Sequence, residues 1–91
     1  AVVAADFSTG DAVRIGGNVA HPEGSISAVS NDGNLVVYAD TSGPHDRDLY
    51  ASKRVNGVWG AATLLTGSST YQWHSMPALS ADGSKVLFDC D

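Results

Sequence analysis

Apolar and polar positions along this chain alternate or cluster over short stretches, and no apolar period of 3.6 is sustained long enough to line one face of a helix. Ser25 to Ser30 reads SISAVS, a period-two pattern that predicts a strand. Asn31-Asp32-Gly33-Asn34 follows, and its Asp-Gly pair tolerates the positive φ of a tight hairpin. Leu35 to Ala39 predicts the returning strand; being apolar at nearly every position, it is expected to be covered on both faces. Asp40 to Arg47 contains Gly43-Pro44 and is expected to be a loop. Asp48 to Val55 predicts a third strand, Asn56-Gly57 a hairpin turn, and Val58 to Thr66 a fourth strand. The chain as a whole is expected to be all-β.

The same pattern occurs twice. Fifty positions downstream, Ser25, Ala28, Ser30, Asp32, Gly33 and Val36 recur as Ser75, Ala78, Ser80, Asp82, Gly83 and Val86. Ile26/Met76, Val29/Leu79, Val37/Leu87 and Tyr38/Phe88 match in kind, and Ile15/Leu65 and Gly17/Gly67 keep the same shift. Further upstream, VVAADFSTG (Val2 to Gly10) lies against LYASKRVNG (Leu49 to Gly57). A repeated four-stranded antiparallel meander is the blade of a β-propeller. On this reading residues 1–17 supply the third and fourth strands of one blade, residues 25–66 a complete blade, and residues 75–91 the first and second strands of the next. The chain then holds about two blades' worth of strands, circularly shifted.

The residues of these units resemble a known family. Ser75-Met76-Pro77-Ala78-Leu79-Ser80-Ala81-Asp82-Gly83-Ser84-Lys85-Val86-Leu87-Phe88 is similar to the core of TolB-like, WD40-like propeller repeats. Asp48-Leu49-Tyr50-Ala51-Ser52-Lys53-Arg54 with Gly57-Val58-Trp59-Gly60 resembles the other half of the same repeat, and Ser27 stands where the first copy would carry Pro. The resemblance implies a six-bladed propeller and a periplasmic or extracellular location. Similar propellers serve as protein-docking modules, as domains gating peptidases, and in some lyases acting on acidic sugars; fold alone does not choose among these.

Open strand edges aggregate unless they are paired. The strand ending at Asp91 on one copy is therefore expected to pair with the strand starting at Ala1 on the next, a heterologous contact that closes into a ring or runs on as a filament. Three copies would give six blades and four would give eight, so a homotrimer is expected, with a tetramer or an excised piece of a longer propeller as alternatives. The absence of Met at position 1 is expected of a processed or excised chain.

Composition narrows the partners. The chain has 91 residues, 43% hydrophobic and 16% charged, a single-domain length with globular content. Its formal charge of −5 and only five scattered Lys and Arg argue against a nucleic-acid partner. No apolar run reaches the length of a membrane span, and no basic segment precedes an apolar one in the manner of a signal peptide. Cys90 is the one cysteine, so it has no intrachain disulfide partner, and it is expected to be a small buried apolar residue.

Successive strands of a meander reverse direction, which sorts the connections by side. The short turns at Ser8-Gly10, Asn31-Asn34, Asn56-Gly57 and Ala81-Ser84 belong to one face, and the longer connections, Gly16 to Gly24, Asp40 to Arg47 and Gly67 to His74, to the other. Long loops on a rigid scaffold are where binding residues concentrate. The candidate ligand-binding residues are His21, His45, Asp46, Tyr71, Gln72, Trp73 and His74, aromatic groups to stack on a sugar or peptide and polar groups to orient it. Trp73 and Tyr71 have an equally simple alternative role, packing between neighbouring blades, and Trp59 is expected to be structural. Asp32 and Asp82 are expected to accept local turn hydrogen bonds, and Asp48 and Tyr50 to hold the blade together. No metal or cofactor is expected: His45-Asp46-Arg47-Asp48 lacks HExxH or paired-Cys spacing, and neighbours in a strand point to opposite faces. No nucleophile elbow or phosphate-binding loop is present. Two functions remain: a non-catalytic, self-assembling propeller that binds a peptide or carbohydrate, and a metal-assisted polysaccharide lyase or hydrolase using His74, His45 and nearby acids.

Overall fold

The computed structural model describes residues 3–5, 12–14 and 25–91, with side chains from residue 28 onward. Its strands are β1 (Val3–Ala5), β2 (Ala12–Arg14), β3 (Ser25–Val29), β4 (Leu35–Asp40), β5 (Asp48–Val55), β6 (Val58–Trp59), β7 (Thr63–Leu64), β8 (His74–Leu79) and β9 (Val86–Cys90). Every strand pairing is antiparallel and the described residues contain no helix, so the chain is all-β.

The largest sheet runs β3-β4-β5-β6, with β7 also paired to β5. β4 is its centre. Val36, Val37, Tyr38 and Ala39 are all buried, which requires cover on both faces, as the unbroken apolar run predicts. On one face Val36, Tyr38 and Tyr50 cluster with Trp59 and Ala62, and the two tyrosine rings stack at 5.9 Å between centroids. On the other, Val37, Ala39 and Leu49 pack with Leu65 and with Leu79 and Val86 of the β8–β9 hairpin.

The fourth strand departs from expectation. Instead of one strand from Val58 to Thr66 there are two short pieces: β6 pairs Arg54↔Trp59 and Val55↔Val58, and β7 pairs Tyr50↔Leu64 and Ala51↔Thr63. From the first pair to the third, four positions along β5 answer to five along its partner, so one residue bulges out at Gly60-Ala61-Ala62. These residues carry little side chain to pack across the sheet, and the Gly60 N–H bond to the Lys53 carbonyl at 2.8 Å holds the offset. Thr66 lies beyond β7 and is buried.

The sequence repeat is a repeat of register. β3–β4 pairs Ser25↔Ala39, Ala28↔Val37 and Val29↔Val36; β8–β9 pairs Ser75↔Asp89, Ala78↔Leu87 and Leu79↔Val86, the same pairs fifty positions on. Both hairpins bulge at the same place, before Ala28 and before Ala78. Their turns are built alike. Asp32 Oδ1 accepts from Ser30 Oγ and Asn34 N, and Asp82 Oδ1 accepts from Ser80 Oγ and Ser84 N. Gly33 and Gly83 take φ of 74° and 72°, values that a Cβ would oppose. The β1–β2 hairpin repeats the other half: Val3↔Arg14 and Ala4↔Val13 correspond to Tyr50↔Leu64 and Ala51↔Thr63 of β5–β7.

Candidate functional site

The 40–47 and 67–73 connections, both assigned by sequence to the long-loop side, meet. Arg47 and Trp73 form an isolated parallel bridge, with Arg47 N–H on the Gln72 carbonyl at 2.9 Å and His74 N–H on the Arg47 carbonyl at 3.1 Å. Asp91 fastens the second connection from behind: its carbonyl accepts from Gln72 N and Trp73 N, and its N–H donates to the Trp73 carbonyl at 2.8 Å.

A buried polar network lies under this junction. Asp48, the first residue of β5, accepts the His45 N–H on Oδ2 at 2.9 Å, and His45 Nδ1 and the Thr66 hydroxyl on Oδ1. Burial pushes the Asp48 carboxyl up, but the bonds from Thr66 and His45 together outweigh it and hold the group below the ordinary carboxylate value. The Thr66 oxygen accepts in turn from Leu49 N–H at 3.3 Å. His45 Nε2 reaches the Ser69 carbonyl at 2.9 Å, so both its ring nitrogens face acceptors. In His74 the Nδ1–H donates to the Arg47 carbonyl and Nε2 lies against the Ser69 hydroxyl, each at 2.7 Å. Ser69 Oγ also accepts from Tyr71 N–H. The His74 ring lies edge-on to His45 at 5.3 Å and to Phe88 at 5.9 Å.

This geometry decides what the cluster can do. His45, Asp48 and His74 offer ligand atoms within 4.8 Å of one another, close enough to hold a metal ion. Yet the same nitrogens and carboxylate oxygens are already engaged in hydrogen bonds within the protein, and an ion would have to displace them. Proton transfer is disfavoured as well. His45 Nε2 faces a carbonyl, which has no proton to give up, and His74, although its Nε2 sits on a serine hydroxyl, is 0% exposed. The network locks two loops and the start of β8 to β5.

Above it sits an exposed aromatic rim. Trp73 is 48% exposed, Tyr71 is similarly open, and the Arg47 guanidinium carbon stands 5.4 Å from the centre of the Trp73 ring. Asp46 N–H donates to Gln72 Oε1 at 3.2 Å, which ties the two loops on the surface side. Tyr71, Gln72, Trp73 and Asp46 are thus brought together at the surface, while His45 and His74 lie beneath them; His74 opens β8 rather than closing a loop. His21 falls outside the described residues. Trp59 is half-buried in the tyrosine cluster, as expected of a structural residue. Cys90 reverses its expectation: it lies exposed on β9, whose second edge has no strand beside it among the described residues. Thr66 and Ser69 are site residues that sequence reasoning misses. Thr66 reaches Asp48 and Ser69 reaches His45 across 18 and 24 positions, a spacing that no local motif signals.

Comparison with known proteins finds no matching family model, no matching curated protein and no matching solved structure.

Proposed function

We propose that the chain is a non-catalytic, self-assembling β-propeller segment of about two blades that binds a peptide or carbohydrate on its long-loop face. One observation carries this reading: strand register, bulge and turn recur fifty residues apart in β3–β4 and β8–β9, and the β5–β7 pairing recurs in β1–β2. Tandem units of this kind bury their faces only against neighbouring units. The Tyr71–Trp73 rim, with Arg47 over the indole, supports binding of a ligand that has a flat apolar surface and an anionic group. Three copies would complete six blades.

The test is the solution mass by light scattering across a dilution series. An integer multiple of 9.4 kDa, with three expected, supports an assembling segment; the mass of one chain at every concentration would sink it.

A second reading, a metal-assisted polysaccharide lyase or hydrolase, is favoured by the grouping of His45, Asp48 and His74. It requires cleavage of an acidic polysaccharide that stops on chelation.

A further inference from the structure

We infer that the free edge of β9 and the apolar groove beside it take a single occupant, the β1–β2 hairpin of a second copy of this chain. The inference rests on the assembling-segment reading and specifies which surfaces meet and in which register.

Comparison of equivalent positions shows that β9 has one neighbour fewer than β4 among the described strands. β4 is flanked by β3 and β5, whereas its counterpart β9 is paired with β8 alone among the described strands. The difference falls on a side chain that packs on β5: Tyr38 is fully buried and stacked on Tyr50, whereas its counterpart Phe88 is 37% exposed. A strand with one unpaired edge and exposed large apolar residues is a template for another strand. The missing neighbour has the character of β5.

The surface next to β9 points the same way. One groove of about 420 Å³ runs between the β4–β5 face and the start of β9, lined by Val37, Ala51, Leu79 and Val86. A second, of about 590 Å³, continues outward over Ala51, Val55, Val58 and Thr63. Leu35, Lys53 and Leu65 line both, so the two form one trough. Its inner end is covered by β8–β9, and its outer end lies open over β5, β6 and β7. That open end is where strands added beyond β9 would lie.

The chain itself contains a hairpin of the required kind. β1–β2 repeats the register of β5–β7, and it forms a two-stranded sheet that pairs with no other described strand. Its strands, VAA and AVR, are almost wholly apolar, which suits an apolar trough. Register then follows from β4–β5, where Val36↔Ser52, Val37↔Ala51, Tyr38↔Tyr50 and Asp40↔Asp48 are opposite. With Val3 and Ala4 equivalent to Tyr50 and Ala51, Phe88 of one copy faces Val3 of the other, Leu87 faces Ala4 and Val86 faces Ala5.

The Leu87–Ala4 pair makes the inference testable by covalent trapping. Directly opposed residues on antiparallel strands have Cα atoms about 4.5–5.5 Å apart, within disulfide range. In a Cys90→Ser background, Leu87→Cys with Ala4→Cys, oxidised at low protein concentration, is expected to give chain-to-chain disulfides, seen as multiples of the chain on a non-reducing gel. Val13→Cys in place of Ala4→Cys puts the thiol on β2, one strand further out and about 10 Å from β9, and is expected to link at least tenfold less. Leu87→Cys alone is expected to give no ladder. Equal linking by the Ala4→Cys and Val13→Cys pairs, or none by either, overturns the inference, and so does an internally linked single chain. A multiple mass by light scattering without linking of Leu87→Cys to Ala4→Cys would overturn this interface while leaving the assembling reading intact; a single-chain mass would remove both. As a second variant, Leu87→Asp places a charge on the exposed face of β9 and is expected to reduce the mass to one chain with the β-sheet circular dichroism kept. Retention of the multiple mass by Leu87→Asp counts against the interface.

Discussion

Removing the Asp48 carboxylate would strand three donors at once: the His45 backbone N–H, His45 Nδ1–H and the Thr66 hydroxyl. Breaking one partner out of a buried charged pair costs about 3 kcal/mol or more, so Asp48→Ala is expected to lose about that much in urea denaturation; a loss of under about 1 kcal/mol would mean that the network is not buried in solution. The same carboxylate makes stability depend on acidity. Its folded value is depressed, so its contribution is present above the unfolded value near about pH 4 and is lost as pH falls through the lowered folded value. Asp82 has the same sign, its carboxyl drawn down to about 2 by bonds from Ser84 and Ser80. Urea midpoints are therefore expected to fall between about pH 4 and pH 2, and Asp82→Ala to shallow that fall. Gly43 gives a steric version of the test. A Cβ there would come within 2.5 Å of Asp48 Oδ2 and of the Tyr50 hydroxyl, so Gly43→Ala is expected to cost about 1–3 kcal/mol by pushing the loop off the network.

At the scale of the element, the bulge in β8 puts Met76, an exposed non-glycine residue, at φ 56°. Glycine accepts that conformation freely and a β-branched residue resists it. Met76→Gly is expected to be neutral or to raise stability by up to about 1 kcal/mol, and Met76→Ile to lower it; thermal melts of the pair decide, and an isoleucine variant as stable as the glycine one would contradict the strain. The hairpins themselves are legible in the sequence because their signals are local: Ser-x-Asp-Gly turns, a period-two strand before them and an apolar run after. The break in the fourth strand is not legible, since Gly60-Ala61-Ala62 carries no turn dipeptide and the bulge arises from how β6 and β7 each find their register on β5. The candidate site is half legible. Tyr71 and Trp73 lie exposed on a connection that the sequence marks as long, but the placement of His45 and His74 depends on Thr66, Ser69 and the Arg47 carbonyl, which only the folded sheet brings near. Cys90 escapes the sequence for the same kind of reason: its exposure is a property of the edge on which β9 sits.

For the whole molecule, a segment whose faces are buried by other copies has a stability tied to its concentration. The melting temperature is expected to rise as protein concentration is increased about a hundredfold, and a melt independent of concentration would describe a self-sufficient single chain. Binding belongs to this scale too, because on the proposed ring the rim would recur once per chain. Titration with a uronic-acid oligosaccharide, followed by tryptophan fluorescence, is expected to show a response that Trp73→Ala weakens about tenfold or more, in line with one lost stacking contact of about 1–3 kcal/mol; an unchanged titration would move the site elsewhere. The identical register of the two hairpins has a last consequence, for how such a chain could lengthen by gene duplication. Since Ala39 and Asp89 occupy the same place opposite Ser25 and Ser75, a splice that follows Asp89 with a second copy of residues 40–89 interrupts no turn, bulge or strand pair. A single polypeptide with a whole number of such inserts would inherit its number of repeats from recombination alone, with no new fold to invent at the joins.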